Sequence, residues 1–141
     1  ACHIYDLFTF PTNACVNCIN AQSIRPKNGY YSSEDNFICT ASFDDGSAAS
    51  LTYTALGSKD YPKENAEIYI DSQVLVMDNY KNIKVFGSEE KGLKTKIIDK
   101  GSDEELRLFA KSIRNDIDWP NPLWQQLQAM KMAFKIEKFI K

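Results

Sequence analysis

The sequence predicts an α+β fold: an open, mainly antiparallel sheet of six to seven strands with helices packed on one face. Short stretches of alternating apolar and polar residues follow one another between Cys15 and Ile98, each bounded by turn-forming residues. Asp44-Asp45-Gly46-Ser47 is a hairpin turn, because Asp-Gly supplies the positive φ angles that tight turns need. From Ser102 onward the apolar residues recur at helical spacing instead. At 141 residues the chain is expected to form a single domain, 1–141.

The first element is a helix. Ile4, Leu7 and Phe8 stand at helical spacing, and Pro11-Thr12-Asn13 is its stop signal. No cap, initiator Met, basic segment or long apolar segment precedes it, so the opening reads as the middle of a severed helix and not as a signal peptide. Cys15 to Ile24 alternates as a strand, with some slippage. Arg25 to Asp35 is a polar loop with an Asn28-Gly29 turn, and Asn36 to Phe43 is the second strand. Ala48 to Leu56 is its hairpin partner, with Leu51, Tyr53 and Ala55 on one face.

A second polar loop, Gly57 to Glu64, leads into strands at Ala66–Ile70, Gln73–Met77 and Asn82–Phe86, with turns at Asp71-Ser72 and Asp78-Asn79. Leu93 to Ile98 is an edge strand guarded by Lys94 and Lys96. Ser102-Asp103-Glu104-Glu105 reads as a capping box opening a helix that buries Leu106, Phe109, Ala110 and Ile113. Asn121 and Pro122 begin a last helix, expected to bury Leu123, Leu127, Met130 and Phe134 with Ile140 continuing the stripe. One helical layer cannot cover both faces of the sheet. Ile68, Ile70, Leu75, Met77 and Val85 therefore suggest self-association through the open face.

Composition excludes several functions. The 17 basic and 19 acidic residues are mixed along the chain, which gives no footprint for nucleic acid. No apolar run is long enough to cross a membrane. The four cysteines, Cys2, Cys15, Cys18 and Cys39, are expected to be reduced thiols of a cytoplasmic protein. Cys15-x-x-Cys18 has the spacing of a zinc ligand pair, but in a regular strand residues three apart point to opposite faces, so no metal site is expected.

His3 is the single histidine, so imidazole proton transfer rests on it, with Asp6 three residues later on the same helix. The polar loops offer Arg25, Tyr30, Tyr61 and Lys63 as contacts for a hydroxylated substrate. There is no G-x-G-x-x-G segment, so no cofactor site is expected within these residues.

The chain resembles the carboxy-terminal domain of the Gfo/Idh/MocA oxidoreductases, of the type linked to sugar or polysaccharide biosynthesis. The resemblance runs through Cys2-His3-Ile4-Tyr5-Asp6-Leu7, Asn28-Gly29-Tyr30 with Glu34-Asp35-Asn36, and Phe43-Asp44-Asp45-Gly46-Ser47. It continues through Leu51-Thr52-Tyr53-Thr54-Ala55, Tyr61-Pro62-Lys63-Glu64, and Asp99-Lys100-Gly101 followed by Glu104-Glu105-Leu106. It implies an open antiparallel sheet that contributes substrate contacts and an oligomer interface. His3 and Asp6 fall on the family's H-x-x-D segment, so His3 is implied as the acid/base for a sugar hydroxyl. NAD or NADP is implied on an amino-terminal Rossmann domain that these residues do not contain, which leaves this chain alone inactive. The alternative is a non-catalytic, sheet-based binding or assembly module.

Overall fold

The computed structural model describes residues 2–27 and 29–141; Ala1, and Asn28 of the expected Asn28-Gly29 turn, lie outside the described residues. The elements are α1 (Cys2–Thr12), β1 (Val16–Ser23), β2 (Asn36–Phe43), β3 (Ala48–Thr54), β4 (Asn65–Ile70), β5 (Gln73–Asp78), β6 (Asn82–Phe86), β7 (Leu93–Lys94), α2 (Ser102–Ile113) and α3 (Leu123–Ile140). Every strand pair is antiparallel. The α+β class and its hairpin connections are therefore as the sequence implies. The seven strands are divided between two sheets, ordered β1-β2-β3 and β4-β5-β6-β7. The chain likewise divides into two compact units, Ala1–Leu56 with Asn121–Lys141, and Gly57–Pro120.

In the first unit α3 packs on β1 and on α1. The core joins Tyr5 of α1, Ala14, Ile19, Phe37, Cys39, Ala41 and Phe43 of the sheet side, and Ala129, Met132, Ile136 and Ile140 of α3. β2 is the central strand and alternates cleanly, with Phe37, Cys39, Ala41 and Phe43 inside and Ile38 and Thr40 outside. The slippage in β1 has a structural cause. Val16 pairs with Phe43 but Cys18 pairs with Ser42, so a bulge at Asn17 takes up one residue. The hairpin turn carries Gly46 at φ 89, and Asp45 accepts from the Ser47 N–H and hydroxyl, both at 2.8 Å. Helix α1 runs through Pro11 and stops at Asn13, whose φ of 48 forms a left-handed cap as its N–H donates to the Thr9 carbonyl (2.8 Å).

Helix α3 turns a different face inward from the expected one. Leu123, Leu127, Met130 and Phe134 are exposed, whereas Gln125, Ala129, Met132, Ile136 and Ile140 are buried. The helix has apolar residues on two sides, and polar anchors select between them. Gln125 Nε2 donates to Asn13 Oδ1 (3.3 Å), and Gln128 Nε2 donates to the Ala14 carbonyl (2.9 Å) and Thr9 Oγ1 (3.1 Å). Side-chain amides bonded in this way avoid the cost of leaving water unpaired. Pro122, not Asn121, is the cap residue, and neither supplies a side-chain cap bond.

The second unit is more open. No residue of β4–β7 or α2 is fully buried. Expectations for α2 are overturned here: Leu106, Phe109, Ala110 and Ile113 are exposed, and the capping box is absent. Gly101 caps the helix in the left-handed region, its N–H donating to Asp99 Oδ1 (2.8 Å). β7 is two residues long, and one further bond continues its register, the Thr95 N–H donating to the Lys81 carbonyl (2.8 Å). Ile68, Leu75, Met77 and Val85 are half-buried and Ile70 is exposed. Lys100 stands 5.0 Å over the Tyr80 ring and 3.5 Å from Glu64. Burial first, and then the Glu64 carboxylate, push the Tyr80 phenol up to about 12.

Candidate functional site

Helix α1 carries His3 and Asp6, and hydrogen bonds to α3 fix its course. The Asn13–Gln125 and Thr9–Gln128 bonds run in opposite senses along the two helices, so they are antiparallel. At 1.5 Å per residue, His3 lies about 9 Å from Thr9 toward the carboxyl end of α3. His3 is exposed and Asp6 is half-buried one turn on. Between them Tyr5 is buried in the core, and burial raises its phenol well above the usual range. Tyr5 is thus a packing residue that sets how α1 presents its neighbours.

The carboxyl end of α3 also closes an open groove of about 510 Å³. Its walls include Arg25, Lys27 and Tyr31 of the β1–β2 loop, with Ser23, Ile140 and Lys141 at its base. The Ser23 hydroxyl donates to the Ile140 carbonyl (3.4 Å), joining the end of β1 to the end of α3. Lys141 is ion-paired with Glu137. The loop is tied down at its far end by Asn36, which is buried. Its Nδ2 donates to the Ser32 carbonyl (2.9 Å), and its Oδ1 accepts from Thr54 Oγ1 (2.9 Å) and the Ala55 N–H (3.0 Å). Three cations among hydroxyl groups suit a ligand that carries both negative charge and hydroxyls.

Among the sequence-derived candidates, Arg25 lines this groove. Tyr30 is 81% exposed and stands edge-on to Tyr31, 4.8 Å between centroids, so Tyr31 and not Tyr30 faces the groove. Tyr61 and Lys63 are exposed on the β3–β4 connection of the second unit. The structure therefore groups Arg25 with Lys27, Tyr31 and Lys141 within the first unit, whereas Tyr61 and Lys63 belong to the second. Lys141 is missed by sequence reasoning because it is distant in the chain.

The described residues contain no phosphate-binding turn of the Rossmann type. A phosphate-binding turn needs a parallel strand leading through glycines into a helix amino terminus, and every strand pair here is antiparallel. Nor is there, among the described residues, a group of three His, Cys, Asp or Glu side chains that could hold a metal ion. No helix among the described residues is long and apolar enough to cross a membrane.

No protein-family profile matches the chain, and no curated protein matches it. Solved structures do. UDP-N-acetylglucosamine 3-dehydrogenase GnnA from Acidithiobacillus ferrooxidans matches 99% of this chain with a TM-score of 0.77 at 14% identity. The WlbA dehydrogenase from Bordetella pertussis, in complex with NADH and UDP-GlcNAcA, matches 99% with a TM-score of 0.59 at 12% identity. The chain has the fold found in Gfo/Idh/MocA-type sugar dehydrogenases. It spans less than half of those chains, 46% of GnnA and 40% of WlbA.

Proposed function

We propose that this chain is the substrate-binding and assembly portion of an NAD(P)-dependent dehydrogenase that acts on a hydroxyl of a sugar or sugar nucleotide. The observation that carries this reading is the match of nearly the whole chain to less than half of two sugar-nucleotide dehydrogenases. In this reading His3, oriented by Asp6, takes the proton of the reacting hydroxyl. The nicotinamide is held by a Rossmann domain outside these residues, and the NADH in the WlbA complex supports that choice of cofactor.

The groove beside Arg25, Lys27 and Tyr31 is the site for the anionic end of the substrate. His3 and the groove belong to the same end of the α1/α3 pair, a span suited to an elongated ligand. Tyr30, Tyr61 and Lys63 are further substrate contacts. Copies associate through the sheet face that carries Ile68, Ile70, Leu75, Met77 and Val85. By itself the chain is inactive, because a general base without a positioned hydride acceptor loses a proximity advantage of about 7–11 kcal/mol.

Titration of the chain with UDP-N-acetylglucosamine and with NADH tests the reading. Binding of the nucleotide sugar, weakened by Arg25→Ala, together with no binding of NADH, is the expected result. Reduction of a dinucleotide by this chain alone, or NADH binding without nucleotide-sugar binding, would overturn it. In a longer polypeptide that includes a Rossmann domain, His3→Gln lowers kcat by roughly 10²–10⁴.

A further inference from the structure

The bulge in β1 changes what the Cys15-x-x-Cys18 segment can do. In a regular strand residues three apart lie on opposite faces, about 10 Å apart. Here Cys15 extends the ladder by one step beyond Val16: its carbonyl accepts from the Asp44 N–H and its own N–H donates to Asp44 Oδ1, both at 2.9 Å. Cys18 pairs with Ser42. The two cysteines therefore stand opposite Asp44 and Ser42, residues two apart on β2. With Asn17 absorbed in the bulge they share one face, separated along the strand by about 7 Å. The burial pattern agrees: Val16 is half-buried and Ile19 buried on the inner side, whereas Cys15 and Cys18 are both exposed.

We propose that Cys15 and Cys18 form an oxidisable dithiol on the outer face of β1, closing to an intramolecular disulfide by exchange with a small disulfide such as glutathione disulfide. One cysteine thiolate attacks a sulfur of glutathione disulfide and releases one glutathione. The second attacks the protein-bound sulfur of the mixed disulfide and releases the other. One S–S bond breaks and one forms; the pair gives two electrons, and both protons end on the two glutathione thiols. That separation lies just beyond the Cα range that disulfides span, about 4.4–6.8 Å, so closure needs a small backbone shift at the bulge and gives a strained, easily reduced bond. This marks a reversible bond, not a structural one. Cys39 takes no part, since it is buried and burial pushes its thiol up to about 11.

Val16 lies within the ring that closure makes, and its N–H donates to Gln128 Oε1 (2.9 Å). Closure therefore acts on the joint that anchors α1 and, with it, His3. That consequence rests on the dehydrogenase reading; the dithiol itself does not.

The test is incubation of the folded chain with glutathione disulfide, followed by thiol counting and mapping of disulfide-linked peptides. Loss of two thiols with a Cys15–Cys18 link, abolished by Cys15→Ser and by Cys18→Ser but not by Cys2→Ser, is expected. Phenylarsine oxide, which bridges close thiol pairs, should bind once per chain and block the reaction. A persistent glutathione adduct without closure, a link involving Cys2, or no loss of thiols would overturn the proposal. These readouts do not depend on dehydrogenase activity.

Discussion

The side-chain amide of Gln128 on α3 spans the joint between α1 and β1, accepting from the Val16 N–H and donating to the Ala14 carbonyl, both at 2.9 Å. The same Nε2 reaches Thr9 Oγ1 at 3.1 Å, so one side chain ties a helix, a connection and a strand to α3. Gln128→Ala leaves a part-buried N–H and carbonyl without their partner. It is expected to cost about 1–3 kcal/mol of the first unit's stability, measured by chemical denaturation. Gln128→Glu keeps the acceptor for Val16 but loses the donor to Ala14, and so recovers only part of that loss.

The face that α3 turns inward is tested by a pair of truncations. Met132 is 1% exposed and Phe134 is 58% exposed. Met132→Ala opens a cavity and is expected to cost about 2–5 kcal/mol. Phe134→Ala is expected to change stability by less than about 1 kcal/mol. A larger loss at Phe134 than at Met132 would mean that the apolar stripe of Leu123, Leu127, Met130 and Phe134 is the buried one.

Stability should fall in alkali, and the sign follows from two raised groups. The Cys39 thiol moves from an ordinary 9.0 to about 11, chiefly through burial. Between these values the unfolded chain has released a proton that the folded chain still holds. The contribution is therefore complete below pH 9 and is lost as pH rises through about 11. Tyr80 acts in the same direction in the second unit, from 10.0 toward about 12. Cys39→Ala should reduce the alkaline slope of the denaturation free energy in the first unit, leaving the part that Tyr5 contributes, and leave the Tyr80-linked slope in place.

Gly92 is required for close approach. A Cβ at this position would meet the Ile83 carbonyl oxygen at 1.9 Å, a backbone atom that cannot move aside without disturbing β6. Gly92→Ala should release the β6–β7 pairing, read as faster hydrogen exchange at Ile83 and Leu93. Gly29→Ala, which meets nothing within 4 Å, is the control.

Much of the local structure was legible in the sequence. β2 occupies the expected Asn36–Phe43, and the Asp44-Asp45-Gly46-Ser47 hairpin and the Asp71-Ser72 turn stand where their residues put them, the latter with φ values of 46 and 65. The candidate site was only partly legible. His3 and Arg25 could be singled out as residue types, but the groove needs Lys141, which meets the Arg25 loop only because Ser23 and Ile140 bring two chain segments together. The bulge at Asn17 left a trace in the broken alternation of β1, without saying which residue was displaced.

By itself the sequence determined where strands, turns and helices lie, and which side chains could do chemistry. Those features depend on backbone preferences and on neighbours a few residues away. Only the tertiary structure decided which of the two apolar sides of α3 is buried, that α2 keeps its apolar side exposed, and that Cys15 and Cys18 share a face. The reason is physical. Burial of a face depends on whether its polar neighbours find partners, and for Gln125 and Gln128 those partners are Asn13, Thr9, Ala14 and Val16, more than a hundred residues away.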